Sequence, residues 1–216
     1  MMFDFDALPG PERYKLLTAT VTPRPIAWTL CHDAKGKLNA APFSFFNVFS
    51  GDPAIVAIGV GSHGPDRRKD TVDAIRATGE FVVSLVDEAV ARRMNVTAIE
   101  FPAEVAELEE ARAATTPSTK VRPPRISDSP VSLECEVFQL IDLNAMNTMV
   151  LGRVLAMHVR DDCVLDAERH HIDTPKLGLI ARMHGRGWYA RTTDLFQMER
   201  IPLPNWPGAE AYWADE

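Results

Sequence analysis

The chain has 216 residues, 46% of them hydrophobic, enough to bury one sizeable core, and its formal net charge of −7 at pH 7 argues against nucleic acid, whose binding needs a basic surface. Its apolar runs are far shorter than the ~20 residues that cross a bilayer, so no membrane association is expected. Three cysteines, odd in number and without CxxC spacing, suggest neither a disulfide framework nor a zinc knuckle and point to a reducing, cytoplasmic setting.

The opening MMFDFDALPGPERY carries acids where a secretory leader would carry Lys or Arg, and it reads as a mature start. Residues 24–33 (RPIAWTLCHD) and 37–46 (KLNAAPFSFF) read as a hairpin with Gly36 in its turn. The runs at 54–61 and 81–86 are continuously apolar and rich in Val and Ile, which suits strands covered on both faces. Between them a short helix is expected, capped by Asp70 or Thr71 and ended by Gly79. Residues 87–99 and 103–115 show apolar residues at helical spacing and predict two more helices. The proline-rich stretch 116–130 reads as a loop too polar and stiff to be core. Strands return at 131–143 and 149–159, with NAMN as the turn between them.

Many strands with inserted helices predict a mainly β protein with peripheral helices, an antiparallel or mixed barrel rather than a doubly wound sheet. No repeat or composition break divides the chain, so one domain over 1–216 is expected, with its core at about 13–200 and a tail at 201–216. No GxGxxG follows a first strand and no GxxxxGK[ST] occurs, so any nucleotide must be held without those glycine-rich phosphate loops.

The stretch HGPDRRKDT at 63–71 lies on the strand-to-helix connection. Helix-start amides lack intrahelical partners, the dipole adds partial positive charge, and nearby cations strengthen an anion's hydrogen bonds. Ser62, Gly61 and Gly64 let the backbone curl, Arg67, Arg68 and Lys69 bring charge, and Thr71 brings a hydroxyl. From this segment alone, an anion site and a solvated basic loop both remain open.

TPRPIAW (22–28), NAAPFSFF (39–46) and RRKDT (67–71), followed by TGEFVVSLV, RRMNVTA, SPVSLEC and GRGWYARTTDLFQMER, give the chain a joint pattern that resembles the flavin reductase-like family. The resemblance implies an FMN-binding split β-barrel and a homodimer. Within it, Asn39, Ala41, Pro42 and Ser44, with Phe45 beside them, would line the flavin ring. Pro25 and Ala27 would form the strand under the ring, with Trp28 packed beside it. Ser62, Arg67, Lys69, Asp70 and Thr71 would form the phosphate end, with Asp70 capping the helix.

Other readings stand beside these. Asn39 is also a common turn residue, and Phe46 and Phe49 read as core aromatics. His184, in a glycine-rich loop, is the one catalytic candidate, although a solvent-facing role fits it equally. The pair His170-His171 with Asp173 is not read as a metal site, because adjacent residues on a strand point to opposite faces. The function implied is an NADH- or NADPH-dependent flavin reductase passing electrons to an acceptor, a partner oxygenase among the choices. A non-enzymatic FMN carrier or electron-transfer protein is the alternative.

Overall fold

The computed structural model describes residues 1–62, 69–102 and 104–213. It opens with a helix that the sequence patterns did not reveal, α1 (Gly10–Thr20), with Pro11 in its first turn and no buried residue. Lacking an apolar face, it offers no periodicity to detect. The hairpin follows as expected: β1 (Ala27–His32) pairs antiparallel with β2 (Leu38–Phe43), and Gly36 turns the chain at φ +83°. Beyond Phe43 the chain breaks at Ser44 and Phe45 before β3 (Phe46–Gly51), which pairs with β4 (Ala54–Val60). Next come α2 (Asp70–Thr78), closed by Gly79 at φ +74°, and β5 (Glu80–Leu85).

Two small helices, α3 (Ala91–Val96) and α4 (Glu107–Glu110), lead to the short pair β6 (Thr115–Thr116) and β7 (Arg125–Ile126). The longest strands are β8 (Val131–Asp142) and β9 (Thr148–Val159), twelve residues each. Their turn is held by the Asn144 side chain, which accepts from the Met146 and Asn147 amides at 2.8 and 2.9 Å. The small hairpins β10 (Val164–Asp166) with β11 (His171–Ile172), and β12 (Ile180–Arg182) with β13 (Tyr189–Arg191), precede a terminal arm ending in α5 (Ala209–Tyr212).

Seven strands form one sheet in the order β2-β1-β5-β8-β9-β4-β3, every pairing antiparallel. Two register shifts between β8 and β9, one adding Leu155 on β9 opposite Glu134/Cys135 and one adding Phe138 on β8, bend the long strand pair and help the sheet curl. Both faces are covered, which explains the continuous apolar runs. Ala27, Cys31, Phe81 and Val83 join the inner cluster, while Trp28, Leu30 and Val82 join a second cluster beneath α3 and residues 121–126. Gly152 on β9 is required by this packing, since a Cβ there would collide with the buried Phe81 ring.

Several expectations are corrected. The 87–99 and 103–115 stretches form only short helices, six residues at α3 and four at α4, with residue 103 outside the described set. The 116–130 loop is not simply polar cover, because Val121 and Ile126 are buried. Phe46 is core as expected, but Phe49 is 67% exposed: the shift between Val48 and Ser50 makes Phe49 the bulged residue of β3 and turns it outward. His170 sits at φ +56° in the turn before β11, so the two histidines do not share a strand. Among the described residues no helix is long and apolar enough to cross a membrane.

The loop's anchor is Glu134 of β8, whose residue exposure is 0%. Its carboxylate accepts from the Thr119 amide at 2.8 Å, the Thr119 hydroxyl at 3.1 Å and the Lys120 amide at 2.5 Å, and it meets His158 Nε2 at 2.5 Å. Burial alone would raise its pKa, but these hydrogen bonds outweigh burial and bring it down to about 2.

Candidate functional site

Between β2, the start of α2 and the 97–102 segment lies a cavity of about 280 Å³. Asn39, Ala41, Pro42, Lys69, Asp70 and Thr71 line one side, with Ala98 to Phe101 and Glu107 opposite. A second cavity of about 260 Å³ adjoins it through Pro42 and Ala98 and is lined by Ile26, Ser44, Met94, Arg182 and Tyr189. Together they form a trough in the size range of small-molecule cofactor sites, roughly 300–1,000 Å³.

At one end of the trough, Lys69 holds the N-cap position of α2 in extended backbone geometry, without a side-chain cap bond. This corrects the expected cap: Asp70 is the first residue of the helix, and Thr71 follows it. Lys69 is drawn inward, its Nζ 5.4 Å from the centroid of the buried Phe43 ring. Burial lowers its pKa, partly opposed by the charge of Glu100. Asn39 Nδ2 donates to Thr71 Oγ1 at 2.9 Å, tying β2 to the first turn of α2. The Thr71 residue is 2% exposed, so its hydroxyl belongs to the wall of the trough.

Across from them, Glu107 keeps Oε2 buried without a hydrogen-bond partner. Burial raises its pKa, opposed by a backbone bond from its own segment, the charge of Lys37 and the Ala40 amide. A carboxyl held this way keeps its proton to higher pH than an exposed one, and it faces the same space as Lys69.

The middle of the trough is walled by Ala41, Pro42 and Ser44, short side chains that leave room for a flat ligand. Its far wall is the β12–β13 hairpin. There the Arg182 guanidinium lies 4.9 Å from the Tyr189 ring centroid, and its Nη2 donates to Gly185 O at 3.2 Å. At the exposed tip, His184 stacks on Trp188 with centroids 6.0 Å apart and planes at 9°.

The structure thus brings together Asn39, Ala41, Pro42, Ser44, Lys69, Asp70 and Thr71 around one trough. Other sequence candidates lie elsewhere. Ala27 and Trp28 are 0% exposed and belong to opposite core clusters, while Pro25 is half-buried; the strand-entry side chain that reaches the trough is Ile26. Phe45 is exposed and stacks on Tyr14 of α1 at 5.9 Å. Ser62 lies at the exit of β4, half-buried, and Arg67 falls outside the described residues. His184 stands at the hairpin tip, not on the trough wall. Glu107, Arg182 and Tyr189 escaped sequence reasoning. For the last two, the ARMHGRGWY segment (181–189) was the available signal, since a glycine-rich turn flanked by a cation and aromatics brings such groups together.

Comparison with known proteins is consistent with this geometry. Residues 19–174 match the flavin reductase like domain. An uncharacterized protein of Deinococcus radiodurans is 42% identical over 208 residues, covering 94% of this chain and 91% of that protein. The crystal structure of the Pseudomonas fluorescens 2-nitrobenzoate 2-nitroreductase NbaA superposes with a TM-score of 0.86 at 33% identity, covering 97% of this chain and all of that one. Nitrilotriacetate monooxygenase component B from Bacillus cereus follows at 0.85 and 28%, with 92% and 98% covered. On a split barrel with this match over most of its length, the chain belongs to the flavin reductase-like family and is an oxidoreductase of the flavin reductase type.

Proposed function

We propose that the protein binds FMN in the trough and works as an NADH- or NADPH-dependent reductase. The observation that carries this reading is Lys69, a half-buried cation folded over Phe43 at the start of α2, beside the Asn39–Thr71 pair. One cation joined to helix-start amides suits a terminal phosphate, and the short side chains of Ala41, Pro42 and Ser44 suit the flat ring that would follow it. When bound, flavin would supply the chemistry, taking a hydride from reduced nicotinamide and releasing electrons to an acceptor. The protein's part is orientation: Lys69 holds the anionic end, the β2 backbone faces the ring, and Ile26 and Met94 keep water from its edge.

The relative named as a monooxygenase component supports a partner oxygenase as one acceptor. Dimerisation is supported by the apolar surface left bare on one chain: Val48 and Phe49 on the edge strand β3, with Leu195, Phe196, Met198, Leu203 and Trp213 on the terminal arm. Three free, buried cysteines suit the cytoplasm.

The test is a visible spectrum of purified protein mixed with FMN, followed by anaerobic addition of NADH or NADPH. Flavin absorbance that stays with the protein and bleaches rapidly is the expected result. Retention without rapid bleaching would make the protein an electron carrier, and no retention would remove the flavin reading.

A further inference from the structure

Arg182 lines the hairpin end of the trough without a counter-charge, and the buried Arg24 is joined to it through the backbone. Arg24 is 8% exposed, and its guanidinium spends its donors on carbonyls: Nη1 on Thr18 and Val21 at 2.9 and 2.6 Å, Nη2 on Met183 at 3.0 Å. It thereby fastens the end of α1 to the base of the hairpin, and its backbone pairs with that of Arg182. Its Nε is buried without a partner. Arg182 donates to Gly185 O, and its guanidinium rests on Tyr189. Among the described residues, no carboxylate lies within ion-pair distance of either arginine, although the chain as a whole is acidic. Burial lowers the Arg24 pKa; nearby Tyr14 opposes this, and the neighbouring charge of Arg182 adds to it.

Beside the apolar wall of Ile26, Pro42 and Met94 the half-buried Arg182 guanidinium has one carbonyl partner, which leaves N–H donors for an incoming anion. A guanidinium lying on a phenol ring also presents a flat, layered surface, on which a planar ligand can stack while its acid group takes the remaining N–H donors. The far wall differs from the Lys69 end, where an ammonium and helix amides suit a compact phosphate.

We propose that Arg182 and Tyr189 form a second subsite of the trough, one that selects a planar aromatic molecule bearing a carboxylate as the molecule that meets the flavin. The assignment rests on the flavin reading for its catalytic meaning, but the binding itself does not. Arg24 is a positioning residue: it holds Met183 and hence the angle of the hairpin.

Benzoate and benzamide, nearly equal in shape and different in charge, are the probes. Isothermal titration of each into the full-length protein, with and without saturating FMN, should show benzoate binding at least tenfold tighter than benzamide in both states. Arg182→Gln should abolish that preference while leaving FMN affinity within about twofold. Tyr189→Leu should weaken both probes and keep the preference. Equal affinity for the two probes in the wild-type protein would overturn the proposal. Loss of benzoate binding on saturation with FMN would also overturn it, because the anion would then be using the flavin's own place. If Arg182→Gln lowers FMN affinity as much as benzoate affinity, Arg182 serves the cofactor and the proposal fails. Failure of the flavin reading is distinct: FMN would then not bind, yet the benzoate preference and its dependence on Arg182 would still be measurable.

Discussion

Two glutamates on this chain are withdrawn from water in opposite ways. Glu134, in the middle of β8, has its carboxylate saturated by two amides and a hydroxyl and meets an imidazole, so its pKa falls to about 2. Glu107, at the trough, keeps one oxygen buried with no partner, and its pKa is raised. The first arrangement is what a fold uses to fasten a loop. The second leaves an unsatisfied oxygen where Lys69 and the α2 start also face a cavity, the arrangement that the proposed binding site would use.

Removing Glu134 is the harshest way to break this contrast. Glu134→Ala would leave two amides and His158 facing a buried gap, so a loss of about 3–5 kcal/mol is expected. For a chain of this size that corresponds to a fall in Tm of roughly 6–20 °C, measurable by calorimetry. Whatever remains folded should bind FMN as the wild type does, because the clamp lies away from the trough. A variant of unchanged stability would show that the clamp merely accompanies the loop.

Acid provides a milder version of the same test. Glu134 is depressed in the folded state, so the stability it contributes is present above the ordinary carboxyl value of 4.5 and is lost as pH falls toward about 2. The difference amounts to about 3 kcal/mol at neutral pH. Urea midpoints of the wild type should therefore drop between pH 5 and 2 by more than those of Glu134→Gln, in which the titrating group is gone.

Glu134 also shows where sequence reading stops. The strand VSLECEVFQLID was plain from its apolar pattern, and the turn residues Gly36 and Gly79 fall where left-handed backbone is needed. Nothing local tells Glu134 from Glu136, although one is sealed under the 116–130 loop and the other pairs with Arg153 at the surface. The segments 87–99 and 103–115 misled for a related reason. Their spacing suits a helix, but helices this short are decided by tertiary packing, and here the chain follows the outside of the barrel instead. Asn39, Pro42, Lys69 and Thr71, which line the trough, were named from two short motifs, 39–46 and 67–71, whose joint order carries the family resemblance. Arg182 and Glu107 reach the trough only through long-range folding, and Ala27 and Trp28 were drawn away by a sheet covered on both faces.

The contrast is sharpened at the other side of the cavity. Lys69→Ala removes one charge-assisted hydrogen bond to an anion, a loss of about 1.5–3 kcal/mol, or roughly tenfold to a hundredfold in FMN affinity. Riboflavin, which has no phosphate, should lose little. Titration calorimetry with both flavins separates the cases. Equal losses would mean damage to the ring wall, and no loss for FMN would return Lys69 to a structural role over Phe43.

Glu107→Gln should give the smallest change and the most specific one. Because the Glu107 pKa is raised in the folded protein, the carboxyl loses its proton later than usual as pH rises, and its charge then appears in the cavity that holds Lys69. Two effects share a sign. Folded-state stability declines as pH climbs from the ordinary carboxyl value toward the raised one, and FMN binding weakens over the raised range as a negative charge develops near the phosphate. Gln keeps the shape, supplies a donor in place of the orphaned oxygen and has no charge to develop. At neutral pH the variant should bind FMN about twofold to fivefold tighter than the wild type, equivalent to roughly 0.4–1 kcal/mol. The phosphate's own second ionisation near pH 6 affects both proteins alike, so the quantity to measure is the ratio of their FMN affinities across pH 5 to 8. That ratio should grow with pH and then level off. A flat ratio across the range would mean that the Glu107 charge does not reach the phosphate end, and the two glutamates would then differ in satisfaction but not in purpose.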